Sequence, residues 1–133
     1  MPEVSARLRF IWLWRVIGFA MIATVLTLSL IPIEADLGKN SDKLGHFLAY
    51  GSLMFWFGML YIDLPARLRI AIGFCAMGIG IEFLQGMTSY RSFEMADMLA
   101  NSVGVAIGWG IACTPLKSSL ATFEKLLLLN GAR

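Results

Sequence analysis

The 133-residue sequence contains little charge: 15% of its residues are Asp, Glu, Lys or Arg, while 58% are hydrophobic. A soluble domain is about one-quarter charged and about half apolar, so this chain has more apolar surface than one small core can hide. The same composition excludes an intrinsically disordered chain, which requires low hydrophobicity. With a mean hydropathy of +0.72, the sequence predicts a membrane protein.

The sequence also lacks a strong net charge and the common catalytic motifs. A net charge of +2, with dispersed basic residues, is too small to indicate nucleic-acid binding. The two cysteines, Cys75 and Cys113, lie in apolar runs without metal-ligand spacing, which indicates packing. No His-x-x-x-His pair, nucleophile elbow or phosphate-binding glycine loop is present. We therefore predict no cofactor and no resident metal.

What the sequence does contain is four apolar segments, each long enough to cross a bilayer, which takes roughly 20 residues. They cover about residues 12–31, 43–62, 67–87 and 95–114. A basic start before the first segment is also typical of a secretory signal, but the segment is long and lacks a small-x-small cleavage site. We therefore favour a retained helix.

A further segment follows these four, at about residues 116–129. It places Leu116, Leu120, Phe123 and Leu127 on one helical stripe. This stripe predicts a short amphipathic helix on the membrane surface, with a disordered end as the alternative. The expected fold is therefore all-α: a polytopic membrane protein with four transmembrane helices in a compact bundle and a short C-terminal amphipathic helix. We expect one membrane domain over residues 1–133.

The distribution of Lys and Arg predicts the orientation of these helices. With four spans, one side of the membrane holds Arg7, Arg9, Arg15, Arg67, Arg69, Lys117, Lys125 and Arg133. The other side holds Lys39, Lys43 and Arg91. Because cytoplasmic loops carry the excess of positive charge, both termini are expected in the cytoplasm. The connections 33–42 and 88–94 would then face outward.

In this topology, polar residues from three helices meet near the outer leaflet. We predict a binding site formed by Asp42, Lys43, His46, Tyr50, Glu82, Gln85, Arg91, Asp97 and Asn101. Those on one helix repeat at steps of three or four residues and therefore lie on similar faces. Among them, His46, Glu82, Asp97 and Arg91 are the candidates for a catalytic role.

A purely structural interpretation of the same residues remains open. Asp42 and Asp97 fall near helix starts, where a carboxylate offsets the macrodipole. His46, Tyr50, Gln85 and Asn101 are typical of interhelical hydrogen bonds. Glu82 is harder to explain in this way, because an unpaired carboxylate inside the hydrocarbon costs about 2.5–3.5 kcal/mol. We expect Arg91 or His46 to pair with it.

The same positions carry a family resemblance. Residues Asp42 to Tyr50 resemble the D-K-x-x-H-x-x-x-Y signature of the VanZ-like family. The series Glu82, Gln85, Arg91, Asp97, Asn101 and Gly104 resembles that family's E-x-x-Q…R…D-x-x-x-N-x-x-G pattern. The resemblance implies a small integral membrane protein of the bacterial cell (inner) membrane. The family's namesake is linked to resistance to teicoplanin, a glycopeptide that acts on cell-envelope precursors.

Two functions are compatible with this pattern. We favour an accessory or binding module that engages the bilayer and an anionic lipid or lipid-linked envelope precursor, since helix N-termini, Lys43 and Arg91 attract anions. The alternative is a small intramembrane enzyme with His46 or Glu82 as general base, Asp97 orienting the histidine and Arg91 stabilising negative charge. A variant uses His46, Glu82 and Asp97 as metal ligands. The sequence leaves a homo-oligomer open.

Overall fold

The computed structural model describes residues 8–31 and 39–130, and for 39–42 and 130 it describes the backbone alone. These residues form five α-helices and contain no strand. The helices are α1 (Ile11–Leu30), α2 (Lys39–Leu60), α3 (Leu64–Gly86), α4 (Met95–Ala112) and α5 (Ser119–Asn130), with a 3₁₀ turn at Pro115–Ser118. The described part of the chain is therefore all-α, as predicted.

Local sequence sets the helix ends. Ile31 is extended, with ψ of 147°, as expected for a residue that precedes a proline. At the start of α3, the carboxylate of Asp63 accepts a hydrogen bond of 2.9 Å from the N–H of Ala66, and Pro65 fits the first turn. The helix therefore begins at Leu64, where we had expected a turn until Ala66. Helix α2 begins at Lys39, four residues earlier than predicted.

Three helices, α1, α3 and α4, are long and apolar enough to cross a membrane. Helix α2 has 22 residues, but its first half contains the polar residues of the predicted site. Large apolar side chains are exposed along the described helices, as expected for lipid-facing surfaces. The structure thus agrees with a membrane protein, while the fourth span stays a prediction.

Helix α2 lies at the centre and packs against α1, α3 and α4. Its closest partner is α4, because Gly104 and Gly108 let that helix approach the backbone of Phe47 and Gly51. Small residues four apart, Gly104 and Gly108 in α4 and Ala76 and Gly80 in α3, predict a close contact between these two helices. Those helices do touch, but their contact uses Gly78, against which Asn101 packs. A Cβ atom added at Gly80, on the predicted small face, would meet no other atom within 4 Å.

The end of α2 is held by an arginine that the charge count had treated as a free cytoplasmic cation. Arg67 is 7% exposed. Its Nε donates to the carbonyl oxygen of Tyr61 at 2.9 Å, and its Nη2 donates to that of Gly58 at 2.6 Å. The last carbonyls of a helix have no partner within the helix, so Arg67 satisfies them and offsets the negative end of the α2 dipole.

The C-terminal segment forms a helix, but the predicted stripe is divided. Leu120 is buried against Trp14 and Leu60, whereas Phe123 and Leu127 are exposed. Leu116 belongs to the 3₁₀ turn and is also exposed, because Pro115 starts that turn before α5 begins. Cys113, expected to pack, is exposed in the turn after α4.

Candidate functional site

Five polar side chains converge between α2, α3 and α4, and we call them the polar cluster: His46, Tyr50, Glu82, Asp97 and Asn101. They come from the first half of α2, the last turns of α3 and the first turns of α4. All five are buried. The structure therefore brings together, from three helices, side chains that the sequence had placed at one depth.

His46 faces two oxygen acceptors from α4. Its Nδ1 lies 3.1 Å from Oδ1 of Asn101, and its Nε2 lies 3.7 Å from Oδ2 of Asp97. Asp97 and Asn101 are four residues apart, so one face of α4 presents both groups to the imidazole. A histidine held at both nitrogens has a fixed ring orientation, which serves binding and proton transfer equally well.

Glu82 is the most buried charged residue, with 0% exposure. Its Oε1 accepts a hydrogen bond of 2.5 Å from the backbone N–H of Glu94, just before α4 begins. The carboxylate also interacts electrostatically with His46 and Asp97. We had expected Arg91 or His46 as its partner. His46 does interact with the carboxylate electrostatically, while the hydrogen bond comes from a backbone group, which a sequence pattern cannot reveal.

Among the described residues, the buried atoms of the polar cluster without a hydrogen-bond partner include Oε2 of Glu82, Nδ2 of Asn101 and the hydroxyl of Tyr50. Leaving a buried polar atom unpaired costs about 1–3 kcal/mol. Such atoms in a native protein require an explanation, such as a bound water, a ligand or a catalytic role. They comprise one acceptor, one donor and one group that can do either.

A cation lies at the rim of the cluster. Nζ of Lys43 donates to Oε2 of Glu94 at 2.8 Å and lies 3.6 Å from Oδ1 of Asp97. Lys43 and Glu94 are both more than one-third exposed, so this ion pair lies between the buried cluster and the surroundings. Arg91, in the connection between α3 and α4, is half-buried.

The structure places one predicted site residue, Gln85, at the end of α1 and outside the polar cluster. Gln85 is buried, but its Nε2 donates to the carbonyl oxygen of Ser29 at 2.8 Å, at the end of α1. Tyr90 donates to the neighbouring carbonyl of Leu30 at 2.6 Å. Gln85 therefore holds the last turn of α1, as the structural interpretation expects. The side chain of Asp42 lies outside the described residues.

Sequence reasoning missed Glu94 as a part of the site. It contributes a backbone N–H to Glu82 and a carboxylate to Lys43. Its position immediately before α4 could have indicated this role, because the predicted site lies at the start of that helix. Within the described part of the chain, no three His, Cys, Asp or Glu side chains are grouped to hold a metal ion, so the metal-assisted variant has no support.

Comparison with known proteins agrees with the residue pattern. A family model described as VanZ/LLP1 matches residues 4–117, which include α1 to α4. An uncharacterized protein of the yeast Schizosaccharomyces pombe is 32% identical over 71 residues, 50% of this chain. The match spans 43% of that relative, less than half of its length. No solved structure matches the chain.

Proposed function

The chain belongs to the VanZ/LLP1 family, and from that premise we propose that it is a four-span membrane protein whose polar cluster binds a lipid head group. The head group belongs to a membrane lipid or to a lipid-linked precursor of the cell envelope. The observation that carries the proposal is the fully buried Glu82, whose second carboxylate oxygen has no hydrogen-bond partner within the part of the chain that the structure describes. A donor on the ligand would supply the missing hydrogen bond.

The packing of α2 supports its role as the fourth span. Its buried polar side chains, His46 and Tyr50, lie towards α3 and α4, whereas Leu44 and Leu48 are 55% and 54% exposed. A helix of 22 residues is ~33 Å long, enough to cross a hydrocarbon core of ~30 Å. Both side chains lower the hydropathy of α2 while they are buried inside the protein, so these two do not oppose insertion.

The orientation follows from the same charge count as before. Because Arg67 is buried against the end of α2, it is not a loop charge. Its removal from the count leaves seven basic residues against three, which still favours cytoplasmic termini. The polar cluster would then lie near the outer leaflet, with Lys43 at its rim.

The chemistry of the cluster favours a head group that carries N–H or O–H donors as well as a phosphate. The cluster and the residues around it contain three carboxylates, Glu82, Glu94 and Asp97, of which the last two lie next to Lys43. An anion alone would therefore meet an excess of negative charge. An ammonium or hydroxyl group on the ligand can donate to Glu82, while the phosphate binds at the rim next to Lys43.

The test compares two lipids that differ in the donor alone. Phosphatidylethanolamine carries an ammonium with N–H donors, and phosphatidylcholine has the same phosphate without them. Native mass spectrometry of the full chain in detergent should show tighter binding of phosphatidylethanolamine. Glu82→Gln should remove this preference, since the amide is uncharged. Glu124→Gln, which alters a buried carboxylate outside the cluster, should keep it.

Two outcomes would contradict this function. Equal binding of the two lipids by the unmodified chain would leave Glu82 without a ligand role. A Glu82→Gln protein with unchanged lipid preference and lower thermal stability would identify the cluster as interhelical hydrogen bonding. Thermal unfolding of each variant in the same detergent separates these results from simple misfolding.

An intramembrane enzyme is the second candidate, and the observation that favours it is the position of His46 between Asn101 and Asp97. An imidazole oriented by a carboxylate is a common general base. Asp97→Asn keeps the size of the side chain but removes its charge. If the protein is an enzyme, the Asp97→Asn variant should convert an added envelope lipid more slowly than the unmodified chain and should still bind that lipid.

A cell-envelope role includes an effect on teicoplanin sensitivity, which we propose from the family resemblance alone. Expression of the chain in a susceptible bacterium should raise the inhibitory concentration of teicoplanin, and Glu82→Gln should abolish that rise. Unchanged sensitivity in cells that hold the folded protein would contradict this part of the proposal. We propose residence in the bacterial inner membrane from the family resemblance as well. A similar protein also occurs in a yeast.

A further inference from the structure

A cleft of about 550 Å³ lies between the start of α1 and one face of α5, on the opposite side of the bundle from the polar cluster. Two cationic side chains, Arg9 and Lys125, line it together with the hydroxyl-bearing Ser118 and Thr122. Leu128 adds an apolar wall. Cations next to hydroxyl donors are the groups that proteins use to bind phosphate.

The one carboxylate in the cleft, Glu124, is already occupied. It accepts hydrogen bonds from the backbone N–H groups of Arg9 and Phe10, and from Nε1 of Trp14 at 2.6 Å. These donors hold the acid against α1. The side-chain charges of the cleft therefore sum to a net positive value, which favours an anionic ligand.

The surroundings of the cleft indicate a lipid surface. Helix α5, which lines the cleft, also exposes five large apolar side chains: Phe123, Leu126, Leu127, Leu128 and Leu129. Trp12, near the start of α1, is 65% exposed. A helix that combines exposed leucines with basic residues is typical of the boundary between water and lipid, where aromatic residues also collect.

We propose that this cleft binds the phosphate of an anionic phospholipid in the leaflet that α5 contacts. Arg9 and Lys125 form ion pairs with the phosphate, and the hydroxyl groups of Ser118 and Thr122 donate hydrogen bonds to it. The acyl chains lie along Leu128. This site is independent of the polar cluster, because it shares no residue with it and lies at the other end of the helices.

The test uses the full chain in detergent, titrated with phosphatidylglycerol or phosphatidylcholine and monitored by native mass spectrometry. We expect tighter binding of phosphatidylglycerol. Arg9→Gln and Lys125→Gln should each weaken that binding about fivefold, the effect of roughly one cation near an anionic surface. Lys117→Gln is the matched control, because Lys117 is exposed on the same side but does not line the cleft.

Three results would overturn the proposal. Binding that falls equally in Lys117→Gln would mean a diffuse surface charge and no site. Equal binding of the two lipids by the unmodified chain would exclude recognition of an anion. Displacement of phosphatidylglycerol by inorganic phosphate at similar concentrations would assign the cleft to a free anion. Because phosphatidylglycerol also carries hydroxyl donors, Glu82→Gln is the control for the polar cluster: Arg9→Gln and Lys125→Gln should weaken binding by the same factor in that background as in the unmodified chain. Failure at the cleft therefore leaves the polar cluster untouched.

Discussion

Two glycines of α4 set how closely it approaches α2. A methyl group added at Gly108 would overlap the backbone carbonyl oxygen of Gly51, and one at Gly104 would overlap that of Phe47. Backbone atoms cannot move aside as the end of a side chain can. We predict that Gly108→Ala forces the helices apart and lowers the free energy of unfolding by about 1–3 kcal/mol, as overpacking does elsewhere.

Gly110→Ala is the control for this prediction. Gly110 is two residues further along the same helix, and a methyl group there meets nothing within 4 Å. Since alanine is favoured over glycine in a helix by about 1 kcal/mol, this variant should be as stable as the parent or slightly more stable. Thermal unfolding in detergent measures both. Equal effects of the two substitutions would mean that the contact of α2 with α4 does not limit stability.

Residue types predicted the polar cluster better than they predicted its hydrogen bonds. Steps of three and four residues placed His46, Glu82, Asp97 and Asn101 on the correct faces, because helical periodicity fixes direction. The same pattern could not assign Gln85 to the end of α1, since that contact depends on how two helices cross. The burial of Arg67 was missed for a similar reason: its partners are backbone carbonyls, which every helix end carries.

At the scale of one element, α5 is attached to α1 through a buried acid. Burial alone would raise the pKa of Glu124, but the hydrogen bonds from Trp14, Arg9 and Phe10 lower the pKa below its ordinary value. The ionised form is therefore favoured in the folded protein. Its contribution to stability is fully present above the pKa of the unfolded chain, about 4.3, and is lost as pH falls through the lower folded value.

We predict that α5 detaches from α1 in acid. Below about pH 4.3, hydrogen exchange of the α5 amides should accelerate, and the fluorescence of Trp14 should change as its acceptor is protonated. Glu124→Gln should be less stably docked at neutral pH and should lose this pH dependence. A Glu124→Gln protein that still detaches over the same range would show that another group controls the transition.

The sequence predicted each helix, with its ends less well placed. Apolar length was sufficient for α1, α3 and α4, whose hydrophobic runs are long enough to span. For α2 the beginning was wrong by four residues, because Lys39 and the residues after it are polar and were assigned to a loop. In α5 the leucine repeat indicated an amphipathic helix, but Glu124 on its packed side was not recognised. A buried acid at that position opposes the hydrophobic pattern.

At the scale of the whole molecule, the open question is whether α2 crosses the membrane. If all four of the long helices cross, positions 9, 62 and 117 lie on one side and position 90 lies on the other. If α2 does not cross, positions 62 and 117 lie opposite position 9, together on the side away from position 90. The two arrangements therefore differ in whether Ile62 lies on the same side of the membrane as position 9. Ile62 is exposed in the turn between α2 and α3.

Cysteine labelling of intact cells separates these arrangements. In a Cys75→Ser, Cys113→Ser background, a membrane-impermeant maleimide should label Tyr90→Cys from outside. It should label Arg9→Cys, Ile62→Cys and Lys117→Cys only after the cells are permeabilised, because basic residues retain those segments in the cytoplasm. Labelling of Ile62→Cys and Lys117→Cys from outside, with Arg9→Cys protected, would mean that α2 does not cross. Labelling of Arg9→Cys, Ile62→Cys and Lys117→Cys alone from outside would reverse the orientation and move the polar cluster to the cytoplasmic leaflet.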